Sequence, residues 1–137
     1  MKTICVVDGQ GGGIGSAVIK MLKQVFEERI EIIALGTNAI ATASMLKAKA
    51  NRGASGENAI RRSVQHADII IGSISIIMAQ SMLGELTPRM ASAIASSRAK
   101  KILLPLTQED VEVVGVSSLP LPRLIETMVK ENLAGLL

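Results

Sequence analysis

A cluster of glycines near the amino terminus is the feature that most constrains how this chain folds. The segment is Asp8-Gly9-Gln10-Gly11-Gly12-Gly13-Ile14-Gly15-Ser16. It follows residues 3–8, a short apolar run rich in β-branched side chains, and it precedes residues 14–28, whose apolar residues have helical spacing. A glycine-rich turn between a strand and a helix predicts the first βα unit of a parallel sheet.

The rest of the chain continues this alternation, with residues 51–56 predicted as a loop. Further strands are predicted at residues 30–35, 68–72 and 101–106. Helices are predicted at residues 38–49, 56–65, 75–83, from 87 onward, and 120–133. Strands that alternate with helices predict right-handed crossovers and a parallel sheet. We therefore expect one Rossmann-like α/β domain over residues 1–137, a three-layer sandwich with four parallel strands.

Residues 111–116 are predicted as a fifth strand, and this strand differs from the others. The link from the fourth strand, residues 107–110, is far shorter than the roughly dozen residues that a parallel crossover needs. We therefore predict an antiparallel hairpin with residues 101–106. For the four parallel strands, the orders 3-2-1-4 and 2-1-3-4 both remain open, with the first strand at or beside the topological switch point.

Composition and charge exclude several classes of function. Tyr and Trp are absent and Phe26 is the only aromatic residue, so base-stacking surfaces are missing. A net charge of +3 is mild for a nucleic-acid-binding protein, and one Cys with one His cannot form a Cys/His zinc site. The longest uncharged run, residues 69–84, is shorter than a membrane span. We expect a cytoplasmic protein with no metal, nucleic-acid or membrane partner.

The glycine-rich turn predicts a binding site for an anion. Glycine lets a ligand approach the main chain closely, and the following helix directs unpaired N–H groups and its positive dipole end toward the turn. Phosphate is the common occupant of such a turn. We predict contact with a phosphate-bearing small molecule by Gly9, Gln10, Gly11, Gly12, Gly13, Ile14 and Gly15. A purely structural tight turn is the alternative. A Walker A loop is excluded, because Ser16 stands where that motif needs lysine.

Polar residues after the other predicted strands extend this site. Thr37 and Asn38 lie where the sugar of a nucleotide would be bound, and Ser73 follows the third strand at the same carboxyl edge. A second set of candidates consists of Asp8, Ser55, Glu57, Asn58 and Glu85. Helix capping, turn formation or close packing is the alternative explanation for these residues, and it is the favoured one for Ser55, Glu57, Asn58 and Glu85. The carboxylate of Asp8 repels a phosphate unless it is protonated, metal-bound or turned into the loop.

Two resemblances bear on function. The ordered blocks DGQGGGIG, LGTN, GASGENAI, GSI, LGELTP and LLPL resemble, from end to end, a small bacterial family known only as a domain of unknown function. That resemblance implies a Rossmann-like cytoplasmic protein without an assigned activity. Over residues 1–35, the spacing of Gly9, Gly13 and Gly15 resembles the cofactor turn of short-chain dehydrogenases, which implies NAD(P) or another nucleotide. Their catalytic Tyr-x-x-x-Lys has no counterpart, so their activity is not implied.

Three functions follow as hypotheses. The leading one is a nucleotide- or phosphometabolite-binding module that uses the turn at residues 9–15. The second is a small enzyme that acts on a phosphorylated metabolite through carboxylates drawn from Asp8, Glu57 and Glu85. The third is a structural interaction subunit with methionine-rich helices. The apolar stretch 74–97 in so short a domain also predicts a homo-oligomer. No catalytic residue is predicted with a defined role.

Overall fold

A single sheet of five strands, all parallel, forms the centre of the protein in a computed structural model that describes all 137 residues. The strands are β1 Lys2–Asp8, β2 Ile30–Gly36, β3 Arg52–Ser55, β4 Ile69–Ser73 and β5 Lys100–Leu104. The α-helices are α1 Gly13–Phe26, α2 Ala39–Lys47, α3 Glu57–Ser63, α4 Pro88–Ser96 and α5 Leu121–Thr127. Short 3-10 segments cover Glu27–Arg29, Val64–His66 and Ile74–Ile77, and a π-helical turn, Met128–Asn132, continues α5. None of these helices is both long and apolar enough to span a bilayer.

The strand order is β3-β2-β1-β4-β5. From β1 the chain runs outward through β2 to β3 and then returns to the other side of β1 for β4 and β5. The topological switch point therefore lies between β1 and β4, and this is a Rossmann-like sheet. Of the two orders left open for the predicted parallel strands, 2-1-3-4 is right and 3-2-1-4 is wrong.

Helices cover both faces of the sheet and bury a core on each. Ile4, Val6 and Ile71 pack with residues of α1 and α5 on one face. On the other face, Cys5 and Ile70 pack with residues of α3 and α4. Successive residues of β1 thus alternate between two buried layers, which explains why β1 has a continuous apolar sequence. The register pairs Asp8 with Gly36, Gly36 with Ser55, and Ser73 with Leu104, so the carboxyl ends of the strands form one edge.

The predicted antiparallel fifth strand is wrong. Residues 111–116 form no strand and are all exposed, so their valines have no sheet partner. The additional strand is β3, within the segment predicted as a loop. Gly53 makes it possible, because a Cβ there would lie 2.9 Å from Cγ2 of Thr42 in α2. A short strand with a small residue fits beneath that helix, although it lacks an apolar run.

The predicted helix at residues 75–83 is also wrong, and only the 3-10 segment Ile74–Ile77 forms there. The chain then makes tight turns in which Gln80, Met82 and Leu83 have φ values of 70°, 58° and 57°. These values are incompatible with a right-handed helix. Ser81 closes the turns, since its hydroxyl donates to the Ser75 carbonyl at 2.7 Å.

Two other helices begin within one residue of the predicted positions, 38 and 87, and each has a side-chain cap. Asn38 Oδ1 accepts a hydrogen bond from the amide of Ala41 at 2.8 Å, and α2 begins directly after Asn38. Thr87 Oγ1 accepts from the amide of Met90, and Pro88 opens α4. Met90 and neighbouring Leu86 are buried in the core.

Candidate functional site

The carboxylate of Asp8 occupies the amino terminus of α1. Its Oδ1 accepts from the amide of Gly9 at 2.8 Å, and its Oδ2 accepts from the amide of Gly15 at 2.7 Å. Gly15 is the third residue of α1, so the side chain acts as a helix cap from the end of β1. The side chain of Asp8 therefore occupies part of the predicted anion-binding site.

Burial dominates the electrostatics of Asp8, which is 7% exposed. Desolvation raises the pKa of this carboxyl above its ordinary 3.8, because the charged form loses water. The amides of Gly15 and Gly9 oppose that shift, and the negative charge of Glu85 adds to it. Asp8 therefore holds its proton more tightly than an exposed aspartate does.

Glu85 joins the glycine-rich turn to the end of β2. Its Oε1 accepts from the amide of Gln10 at 2.8 Å, from Oγ1 of Thr37 at 2.7 Å and from Nδ2 of Asn38 at 2.8 Å. Asn38 Nδ2 also donates to the Gln10 carbonyl at 3.0 Å. These donors, led by the Gln10 amide, lower the pKa of Glu85 below its ordinary 4.5. The structure thus brings together four predicted site residues, and Glu85 is the acceptor at their centre.

The five glycines of the turn differ in whether the fold requires them. A Cβ on Gly9 or Gly15 would lie 2.5 Å from a methionine sulfur, and one on Gly12 would lie 2.7 Å from the Ala41 carbonyl oxygen. By contrast, a Cβ on Gly11 or Gly13 would meet nothing within 4 Å, and neither residue has a positive φ. Both are exposed, and neither amide donates to another protein group.

A cleft of about 470 Å³ opens beside the turn, at the switch point between β1 and β4. Its volume lies within the range of small-molecule sites. The cleft is lined by Asp8, Gln10, Ile14, Ser73, Ser75, Met82, Leu83, Leu106, Thr107, Gln108 and Glu109. Four of these residues, Asp8, Gln10, Ile14 and Ser73, belong to the site predicted from the sequence.

The polar wall of the cleft contains three hydroxyl groups, those of Ser73, Ser75 and Thr107. Oγ of Ser75 lies 2.8 Å from Oγ1 of Thr107, and Oγ of Ser73 accepts from the amide of Ser75 at 3.3 Å. Thr107 Oγ1 also accepts from the amide of Glu109 at 3.1 Å. Asp8 and Glu109 are the only charged lining residues, with no Lys or Arg among them. No three His, Cys, Asp or Glu side chains stand close enough to hold a metal ion.

The remaining predicted residues lie outside the cleft. Oγ of Ser55, at the end of edge strand β3, is 2.7 Å from Oγ1 of Thr42. Glu57 opens α3 and accepts from Oγ1 of Thr87 at 2.5 Å. Asn58 is exposed. The carboxyl edge of the sheet therefore contains an open cleft at one end. At the other end, polar side chains cap helices or hydrogen-bond to neighbouring elements.

Several lining residues were not among the predicted site residues. Leu106, Thr107, Gln108 and Glu109 follow β5, so the rule that ligands bind beyond strand ends would have included them. Met82 and Leu83 come from the turns after Ile74–Ile77, and no sequence pattern marks them. Gln10, Met82 and Leu83 all have positive φ, and Leu83 is 96% exposed at the cleft. Strained main chain of this kind is concentrated at functional sites.

Comparison with curated proteins returns no match. A family model does match, and it spans residues 3–136, a range that includes every lining residue of the cleft. The chain therefore belongs to the family described as Domain of unknown function (DUF3842).

Proposed function

We propose that the protein binds a phosphate-bearing small molecule, a nucleotide or a sugar phosphate, at the switch-point cleft. The body of the ligand lies in the cleft, and its phosphate lies against the outer amides of the glycine-rich turn. The fold position supports this proposal, because open α/β sheets bind ligands at the switch point beyond the strand ends. The cleft volume of about 470 Å³ also suits a ligand of that size.

The observation that carries the proposal is the pair of open glycines, Gly11 and Gly13. Neither packing nor φ requires glycine there, and both amides lack a protein acceptor. Gly13 is the first residue of α1, where an amide has no acceptor within the helix. Two bare, exposed N–H groups beside a helix terminus suit close approach by a phosphate oxygen.

The carboxylates define which ligand fits. Asp8 and Glu85 already occupy the inner amides of Gly9, Gln10 and Gly15, so a phosphate is confined to the outer amides. Their negative charge disfavours inorganic phosphate alone. In the cleft, Asp8 accepts hydrogen bonds from hydroxyl or amino groups of the ligand body. A ligand that combines such donors with one phosphate satisfies both requirements.

Matched ligand pairs test this proposal by thermal shift and calorimetry. The panel pairs each nucleoside with its nucleotide and each sugar with its phosphate, and includes NAD(P) and inorganic phosphate. We expect one phosphorylated member to bind more tightly than its unphosphorylated partner, and inorganic phosphate alone to bind weakly. Absence of binding by the whole panel contradicts the proposal.

The variant Gly13→Asp tests the role of the turn. An acidic residue at the first position of a helix is favourable, so the fold is retained, but its charge repels a phosphate. We expect the affinity for the phosphorylated ligand to fall by about tenfold, or about 1.4 kcal/mol. Gly13→Asn, the neutral control of the same size, should bind as the wild type does. Equal affinity of both variants for the phosphorylated ligand would show that its phosphate does not lie at the turn.

A second function, an enzyme that acts on the same ligand, is favoured by one observation. Asp8 lines the cleft, is buried and has a raised pKa, which are properties of a general acid or base. Incubation of each bound ligand with the protein, followed by mass spectrometry, tests this function. Turnover that is lost in Asp8→Asn, while ligand binding persists, supports the enzyme; an unchanged ligand supports the binding module.

A further inference from the structure

Residues 109–116, Glu-Asp-Val-Glu-Val-Val-Gly-Val, form an exposed segment with the composition of a strand, here called the valine arm. Every residue from 108 to 120 is exposed, and Val114 is 98% exposed. β-branched residues favour strands, and a cluster of exposed valines marks an interaction surface. The arm nevertheless pairs with no strand of its own chain.

The outer edge of β5 is the complementary feature. Strand β5 pairs only with β4, and the Lys100 amide donates to the Asp68 carbonyl at 3.1 Å. Because alternate residues of a parallel strand bond to the same neighbour, Lys101 and Leu103 direct their N–H and C=O groups outward. A groove of about 540 Å³ runs along this edge, between all five residues of β5 and α5 with its π-helical extension. Free strand edges of this kind recruit further strands.

Charge fixes the direction in which the arm fits. Its amino-terminal end carries Glu109, Asp110 and Glu112, whereas β5 begins with Lys100 and Lys101. Parallel pairing brings the acidic end beside the lysines and the valines beside Leu103 and Leu104. An antiparallel hairpin places the valines beside the lysines and leaves the acidic end beyond Leu104.

The arm of the same chain cannot make the parallel pairing. Only residues 105–108 separate it from β5, and a parallel crossover needs about a dozen residues. The arm of a second copy has no such restriction. Reciprocal exchange of two arms also gives a closed dimer, in which each copy contributes the same surface.

We propose that two copies of the chain form a dimer by exchanging valine arms, each arm adding a sixth parallel strand along the free edge of β5 in the other copy. The arm begins at Glu109 and follows directly on Leu106, Thr107 and Gln108, and all four residues line the cleft. The dimer therefore anchors one wall of the cleft in each copy. This inference does not depend on the ligand proposed above.

Sedimentation velocity from micromolar to millimolar concentration tests the dimer with a proline pair. Val113→Pro removes a main-chain donor and prevents regular pairing in the middle of the arm. We expect the wild type to dimerise and Val113→Pro to weaken the dimer by about tenfold or more. Ser118→Pro changes an exposed residue beyond the arm and should dimerise as the wild type does. A wild type that stays monomeric throughout, or a dimer that Val113→Pro leaves intact, overturns the proposal.

A charge swap tests the direction of pairing. Lys100→Glu and Glu112→Lys should each weaken the dimer, and the double variant should regain affinity. Both residues are exposed, so neither change affects the folded core. Failure of the double variant to recover overturns the parallel arrangement.

Hydrogen exchange at the Leu103 amide identifies the copy that supplies the arm. Protection that rises with protein concentration supports exchange between copies. Protection that is independent of concentration means that the arm of the same chain covers the edge, and this result overturns the proposal.

Discussion

The two halves of the sheet's carboxyl edge use their polar side chains in opposite ways. Beyond β1 and β2, Glu85 and Asp8 accept hydrogen bonds from the amides of Gly9, Gln10 and Gly15, and this half is closed by the protein's own carboxylates. Beyond β4 and β5, the hydroxyl groups of Ser73, Ser75 and Thr107 bond to each other and to nearby main-chain amides, and they border a cleft. We call these the closed half and the open half.

The difference shows why strand-end position alone does not define a binding site. In the closed half, amides that a ligand would use are already paired with Asp8 and Glu85, so these groups stabilise the fold. In the open half, the hydroxyls of Ser73, Ser75 and Thr107 keep unused bonding capacity beside open space. Gly11 and Gly13 are the chain neighbours of the lining residues Gln10 and Ile14, and their amides have no protein acceptor.

The largest expected effect comes from breaking the closed half at Gly12. Gly12 has a φ of 73°, and a Cβ there would lie 2.7 Å from the Ala41 carbonyl oxygen in α2. We expect Gly12→Ala to lower the free energy of unfolding by about 2–4 kcal/mol, since a left-handed conformation costs an L-residue about 1–2 kcal/mol and the contact adds strain. Chemical denaturation measures the change.

Gly11→Ala is the matched control for this prediction. Its Cβ meets nothing within 4 Å, and its φ is not positive. The free energy of unfolding should change by less than about 0.5 kcal/mol, as at other unconstrained surface sites. Equal losses in the two variants would mean that the turn does not separate into packed and open glycines.

The same contrast explains which strands the sequence could predict. Residues 4–7 and 32–35 form continuous apolar runs that pack on both faces of the sheet, so their pattern is sufficient. Strand β3, with the sequence Arg-Gly-Ala-Ser, is four residues long and lies at the sheet edge, so it has no such pattern. Residues 111–116 have strand composition without a partner. Local sequence reports a preference for extended structure, and a neighbouring strand decides whether it forms.

The candidate site was predictable where strand ends define it. Asp8 and Ser73 follow buried strands on the two sides of the switch point, and the structure places both in the cleft. Met82 and Leu83 reach the cleft through left-handed turns that no spacing of apolar residues indicates. The link between Glu85 and Asn38 spans 47 positions in the sequence, so only the folded chain reveals it.

An intermediate effect on stability is expected from Glu85→Ala, which removes the carboxylate that joins the glycine-rich turn to the end of β2. Three donors, the Gln10 amide, Thr37 Oγ1 and Asn38 Nδ2, then lose their partner. Because the site is partly exposed and water replaces some of these bonds, we expect a loss of about 1–2 kcal/mol in the free energy of unfolding. Glu85→Gln keeps a neutral acceptor in the same position and should lose less. If both variants match the wild type, Glu85 does not hold the turn to β2.

The smallest expected effect is in the pH dependence of the two carboxylates. The pKa of Glu85 is lowered, so its contribution to stability is present above its unfolded value of 4.5 and is lost as pH falls through its folded pKa. The pKa of Asp8 is raised, so its contribution is present below the unfolded value of 3.8 and is lost as pH rises through its folded pKa. NMR titration of the carboxyl carbons should therefore find the pKa of Asp8 above its ordinary 3.8 and the pKa of Glu85 below its ordinary 4.5.

Variants separate these two contributions. Glu85→Gln should flatten the loss of stability toward acid, and Asp8→Asn should flatten the loss as pH rises above 3.8. Burial causes the raised pKa of Asp8, so a ligand that excludes more water from the cleft should raise it further, whereas one that donates hydrogen bonds to the carboxylate should lower it. The direction of the Asp8 shift on ligand binding therefore distinguishes an apolar occupant from a hydroxylated one. Titration of both groups at ordinary values, in the free protein, would contradict the division of the edge into a closed and an open half.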